Sequence, residues 1–188
     1  MSNILRRQIE SIVPLTDEEY ELVLSYFSPK KFKKHQNIIR EGEYVHNEYF
    51  LLSGLMKASH INPEGKEHII QFAMQHWWIT DPQAYHNQTP AKLQVDCLED
   101  CETLFITLEN REKLCRELRK MEYFFRKKTT ADFIELQHRT LCLISGTAKD
   151  RYENLLTQYP GLFQRVPKSL IASYLGVSRE TLSRLAGA

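Results

Sequence analysis

No apolar run in the sequence approaches the roughly 20 residues that a membrane-spanning helix needs, so no membrane partner is expected. The opening, MSNILRRQIESIV, carries two arginines, but a glutamate interrupts its apolar segment and no small-residue cleavage site follows. No secretory signal is expected, and the protein is expected in the cytoplasm. GxSxG, a phosphate-binding glycine loop and a Cys–His nucleophile motif are all missing, which points away from an enzyme and gives no candidate catalytic residue. Cysteine is scarce. Cys97 and Cys101 stand close together, but neither they nor Cys115 and Cys142 have a second Cys/His pair at ligand spacing. The histidines form no HxH or HxxxH pair, so no metal and no cofactor are expected. Internal repeats and low-complexity segments are also lacking.

Strong net charge is absent too, but the total of +1 hides an asymmetry. From Gly146 onward six Lys/Arg face three Asp/Glu, whereas the remainder carries 19 against 21. A modestly basic tail behind a slightly acidic body suits a DNA-binding end.

That tail holds the most informative stretch, VPKSLIASYLGVSRETLSR, Val166 to Arg184. Ile171, Leu175, Val177, Leu182 and Leu185 are its apolar positions, and two helical repeats meet at Gly176, where glycine turns the chain without steric cost. Ser178 is a good N-cap for the second helix. The first turn of that helix presents Arg179, Glu180 and Thr181, with Arg184 one turn on. The pattern predicts a helix-turn-helix whose second helix offers two arginines and a glutamate to base edges in a major groove.

The run IASYLGVSRETLSR closely resembles the recognition motif of the cyclic-AMP receptor protein and fumarate-nitrate regulator (Crp/Fnr) superfamily. The resemblance implies that Arg179, Glu180 and Arg184 read bases, while Lys168, Ser169, Ser178 and Thr181 hold phosphates. It implies a dimeric regulator on double-stranded DNA, a half-site with a TGTGA-like core, and RNA polymerase as a partner if the regulator activates. The sequence ends four residues after Arg184, so the β-hairpin wing of many relatives is expected to be missing and the affinity to be moderate and strongly salt-dependent.

Ahead of the tail, Thr16 and Glu19 make a capping box for a helix carrying Leu22, Val23, Tyr26 and Phe27. From Ile38 to Thr107 short apolar or alternating segments lie between Gly42, Gly54 and Gly65, with Asn62-Pro63-Glu64-Gly65 as a strong hairpin signal. Many short strands imply a small antiparallel barrel or roll. Helices follow, roughly 109–118 and 123–145. The expected fold class is α+β: a β-roll effector-type domain over 1–120, a long dimerisation helix over 121–145 and a helix-turn-helix domain over 146–188. The order of helix, roll and long helix resembles the cyclic-nucleotide-binding domain of the same superfamily. On the long helix Phe125, Phe133, Leu136, Thr140 and Leu143 form a candidate seam for a second copy.

The segment WWITDPQAYHNQTPAKLQV departs from the family's nucleotide pattern. Counting back from Val95, the place of the arginine that neutralises a cyclic phosphate falls on Ala91, and Asp81 lies near the place of the ribose-binding glutamate. Lys92 offers a point charge in place of a fork. Cyclic AMP is therefore not the expected effector. Trp77, Trp78, Asp81, Tyr85 and Lys92 remain a candidate pocket for an unknown small molecule, against the alternative that the rings fill a closed pocket. The competing function is a small-ligand sensor or protein-interaction module that keeps the helix-turn-helix as scaffold.

Overall fold

The computed structural model describes residues 3–187. It opens with α1 (Asn3–Glu10) and α2 (Asp17–Ser25), followed by β1 (Ser28–Phe32), β2 (Asn37–Ile39), β3 (Asn47–Ser53), β4 (Met56–Ile61), β5 (Glu67–Ala73) and β6 (Trp78–Ile79). Next come the short helix α3 (Pro82–Asn87), strands β7 (Gln94–Cys97) and β8 (Cys101–Thr107), and helices α4 (Leu108–Glu117) and α5 (Arg119–Ser145). The chain closes with α6 (Ala148–Gln158), α7 (Leu162–Arg165), α8 (Lys168–Leu175) and α9 (Arg179–Ala186). This is the expected α+β class. Among the described residues no helix is long and apolar enough to cross a membrane.

The strands make two four-stranded sheets, ordered β1-β8-β3-β6 and β2-β7-β4-β5, and β1 with β8, β2 with β7, β3 with β6 and β8, and β4 with β7 pair antiparallel. Strand β3 shows how the sequence specifies the roll. Successive side chains point to opposite faces, and Phe50 and Leu52 join a first hydrophobic cluster while Tyr49 and Leu51 join a second. A strand covered on both faces needs an unbroken apolar run, which YFLL supplies. The first cluster holds Leu5, Ile9, Tyr20, Val23, Leu114, Met121, Phe124 and Phe125 from the helices; the second draws on residues of every strand. Lys31 of β1 pairs with Glu102 of β8, and Lys33, just past β1, pairs with Asp100.

By contacts within the chain the molecule divides into two compact units, 1–60 with 71–129 and 61–70 with 130–188. The first holds both hydrophobic clusters. In the second, Leu155, Leu162, Val166, Ile171, Ala172, Leu175 and Leu182 are buried. Both halves of the Thr16/Glu19 capping box are present. Helix α5 begins earlier than apolar spacing indicates: only Leu118, in an extended conformation, separates it from α4.

Candidate nucleic-acid interface

Helices α8 and α9 meet at a turn that the local sequence dictates. Gly176 ends α8 in the left-handed region at φ +68°, and its N–H reaches the carbonyls of Ala172 and Ser173. Leu143 Cδ2 lies 3.7 Å from where a Cβ would stand, so the glycine is needed for its φ and not for space. Two residues on, the Ser178 hydroxyl accepts the Thr181 N–H at 3.1 Å and starts α9. Leu182 is buried beneath α9, while Arg179, Glu180, Ser183 and Arg184 are exposed. The Arg184 guanidinium leans over the Thr181 hydroxyl at 3.5 Å. Glu180 is held below its ordinary carboxyl range by its own backbone N–H and by the Ser178 hydroxyl, so it stays charged at neutral pH.

The supporting residues come from neighbouring helices of the same unit. Lys168 and Ser169 are exposed at the start of α8, where the N-cap Pro167 supplies no side-chain acceptor. The helix start therefore leaves amide N–H groups for another acceptor. Arg151 of α6 donates from Nε to the Leu175 carbonyl and from Nη1 to the Gly146 carbonyl, both at 2.8 Å, and so caps the ends of α8 and α5. Sequence spacing missed two anchors of α8. Arg139 stacks its guanidinium 3.6 Å from the Tyr174 ring and donates to the carbonyls of Ile69 and Tyr174 at 3.0 Å. The Ser173 hydroxyl donates to the Glu67 carbonyl at 2.7 Å and accepts the Ile69 N–H at 3.2 Å. No local pattern announces either contact, because both reach more than 30 residues away.

The seam residues do not stay together. Phe133, Leu136, Thr140 and Leu143 are exposed on α5, with Ile134, Leu141 and Ile144 exposed beside them. Phe125 is not on that surface. It is buried in the first cluster, packed edge-on against Phe124 and Trp78 with the Arg111 guanidinium 4.2 Å above its ring. A heptad count cannot see that the first two turns of α5 are already covered.

The candidate effector pocket also needs correction. Trp77 and Trp78 point to opposite faces, so Trp78 belongs to the first cluster and Trp77 and Tyr85 to the second. Trp78 donates its indole N–H to Gln8 Oε1 at 2.8 Å, and the Tyr85 hydroxyl reaches the Ile106 carbonyl at 3.4 Å. Asp81 is buried and accepts backbone N–H groups, among them that of Lys92, whose side chain is exposed. The five residues are thus divided between the two clusters and the surface.

Ala91, at the place expected for a phosphate-binding arginine, is buried, and its backbone bonds Gly42 and Glu43 at 2.9 Å on either side. A cyclic nucleotide requires a guanidinium or equivalent for its phosphate and free amide donors around it. The residues present here do not fit that group.

Comparison with known proteins places this geometry. Residues 29–118 match the cyclic nucleotide-binding domain family. The anaerobic regulatory protein of Bacillus subtilis is 28% identical over 104 residues, which covers 55% of this chain and 42% of that protein. The chain thus spans less than half of that relative. The cAMP-activated global transcriptional regulator CRP of Escherichia coli is 21% identical over 184 residues, 92% of this chain and 87% of the relative. Among solved structures, FixK2 from Bradyrhizobium japonicum superposes with a TM-score of 0.74 at 16% identity, covering 86% of this chain and 83% of that one. Fold, domain match and relatives agree: the chain is similar to Crp/Fnr-type regulators, and its residues 29–118 match the cyclic nucleotide-binding domain.

Proposed function

We propose that this chain is a cytoplasmic, sequence-specific DNA-binding regulator that acts as a homodimer. The observation that carries the reading is the outward placement of Arg179, Glu180 and Arg184 on α9 above a buried Leu182. Arginine presents a planar fork to guanine O6 and N7, and the charged Glu180 accepts from a cytosine amino group. Lys168, Ser169 and Thr181 supply phosphate contacts, while Ser178 serves first as the cap that aims the helix.

One such helix touches too few bases to choose a genomic site. Two, carried about 34 Å apart, enter successive major grooves of a partly palindromic duplex. The exposed apolar face of α5, Phe133, Leu136 and Leu143 with Thr140, supports pairing with a second copy, since water-exposed aromatic and aliphatic groups gain by mutual burial. By its own name the Escherichia coli relative is a global transcriptional regulator and the Bacillus subtilis relative a regulatory protein, and that role comes to this chain as part of the proposal.

Binding-site selection with the purified protein, alongside native mass spectrometry, tests the reading. The expected result is an enriched inverted repeat containing a TGTGA-like core, bound by two copies. Selection that returns no enriched half-site rejects it and leaves the helix-turn-helix as a scaffold for another interaction.

A further inference from the structure

The amide donors of the roll that face inward near α3 are already taken by an anion from the chain itself. Asp81 is 2% exposed and uses both carboxylate oxygens. Oδ1 accepts the Ala84 N–H at 3.1 Å; Oδ2 accepts the N–H groups of Lys92 at 2.8 Å and Leu93 at 3.0 Å. The Ala84 contact is an ordinary N-cap. The other two are not: they reach across to the segment entering β7, 11 and 12 residues on. Converging backbone N–H groups of this kind suit an oxyanion, and each would be costly if buried without an acceptor.

The surroundings leave that anion no competitor. Tyr85 and Ala91 are fully packed, and an isolated bridge joins Tyr44 to Pro90. The Gly42 N–H donates to the Ala91 carbonyl and the Ala91 N–H to the Glu43 carbonyl, so the turn before β3 is stitched over the same segment. Gln88 closes α3 from the left-handed region at φ +51° and donates from Nε2 to the Tyr85 carbonyl at 2.7 Å.

We propose that Asp81 is a built-in anion which occupies the backbone donors a nucleotide phosphate would need, so that the roll holds its closed state with no cyclic nucleotide. The domain then works as a fixed structural module. Only the consequence for DNA, binding that is indifferent to cyclic nucleotides, rests on the function proposed above.

Three measurements test this. Isothermal titration and thermal melting of the wild-type chain with cyclic AMP and cyclic GMP should show neither heat nor a Tm change; saturable binding of either nucleotide overturns the proposal. In Asp81→Ser a hydroxyl can still cap Ala84, but nothing reaches Lys92 and Leu93. Amide hydrogen exchange at those two residues should accelerate, and Tm should fall by about 5 °C. Sodium acetate should restore part of both, where sodium chloride of equal ionic strength does not. Unchanged exchange at Lys92 and Leu93, or equal rescue by chloride, overturns the proposal, and the wild-type titration judges it even if the variant does not fold. The third arm is DNA affinity with and without cyclic AMP. A chain that binds no DNA at all defeats the proposed function while the first two arms still decide the role of Asp81.

Discussion

Two carboxylates of the first compact unit and the side chains of α9 in the second treat charge in opposite ways. The two carboxylates turn inward and are matched. Glu48, 5% exposed, accepts from Arg111 Nη1 at 3.0 Å and Lys128 Nζ at 2.9 Å, and Asp81 spends both oxygens on backbone N–H groups. In the second, Lys168, Arg179, Glu180 and Arg184 stand exposed on or beside α9. Burying a charge is tolerated only with partners, so the inward set is a matter of stability. Side chains left outward at the start of a helix are available to a ligand. Function is therefore to be sought at the exposed charges of α9.

The largest expected effect breaks the inward set. Glu48→Ala leaves Arg111 and Lys128 buried without their carboxylate and should cost about 3–5 kcal/mol of stability, read by urea or thermal unfolding. The DNA affinity of the variant fraction that folds should match wild type. Burial pushes the Glu48 carboxyl up, but Lys128, Arg111 and His86 outweigh it and hold the group below its ordinary range. The stability it contributes is therefore present above the unfolded carboxyl value of about 4.3 and lost as pH falls through the lower folded value. Glu48→Gln should flatten that acid limb.

The second prediction breaks the outward set. Arg179→Ala and Arg184→Ala should each lose about 1–3 kcal/mol of discrimination between the selected duplex and a scrambled one, with Tm unchanged. Anisotropy titration beside circular dichroism checks both halves. A fall in Tm equal to that of Glu48→Ala would mean that these arginines serve the fold.

Much of this contrast was legible in the sequence. Sets of apolar positions around Gly176 and Ser178 marked both helices of the helix-turn-helix, because a left-handed turn and an N-cap are local needs with few residues able to meet them. The roll was legible as turns and short strands for the same reason. What failed was long-range. Phe125 falls in register with Phe133 and Leu136, and only tertiary packing against Trp78 and Arg111 removes it from the seam. Trp77 and Trp78 look like one aromatic patch until strand alternation sends them to different clusters. The departure at Ala91 was visible, but not that Asp81 fills the gap, since its partners Lys92 and Leu93 contribute backbone that carries no sequence signature.

Smaller effects sharpen the comparison. Gly176→Ala places a side chain at φ +68°, where an ordinary contact with Leu143 Cδ2 does not remove the conformational cost, and should destabilise the second unit by about 1–2 kcal/mol. Loss of DNA binding should accompany it, because the turn aims α9. The smallest effect belongs to His86. Burial and the Arg111 charge hold its imidazole below the ordinary value. Its contribution is present above the unfolded value of about 6.5 and lost as pH falls through the folded one. His86→Gln should remove a slight loss of Tm that sets in as pH falls below about 6.5.

Together the two proposals describe a fixed roll and an outward-facing reader in one chain. Fluorescence anisotropy with the selected duplex, titrated with and without saturating cyclic AMP, tests this description most directly. One Kd, specific over a scrambled duplex and the same in both titrations, is the predicted result. Affinity that appears only with the nucleotide, or that does not distinguish the two duplexes, contradicts it.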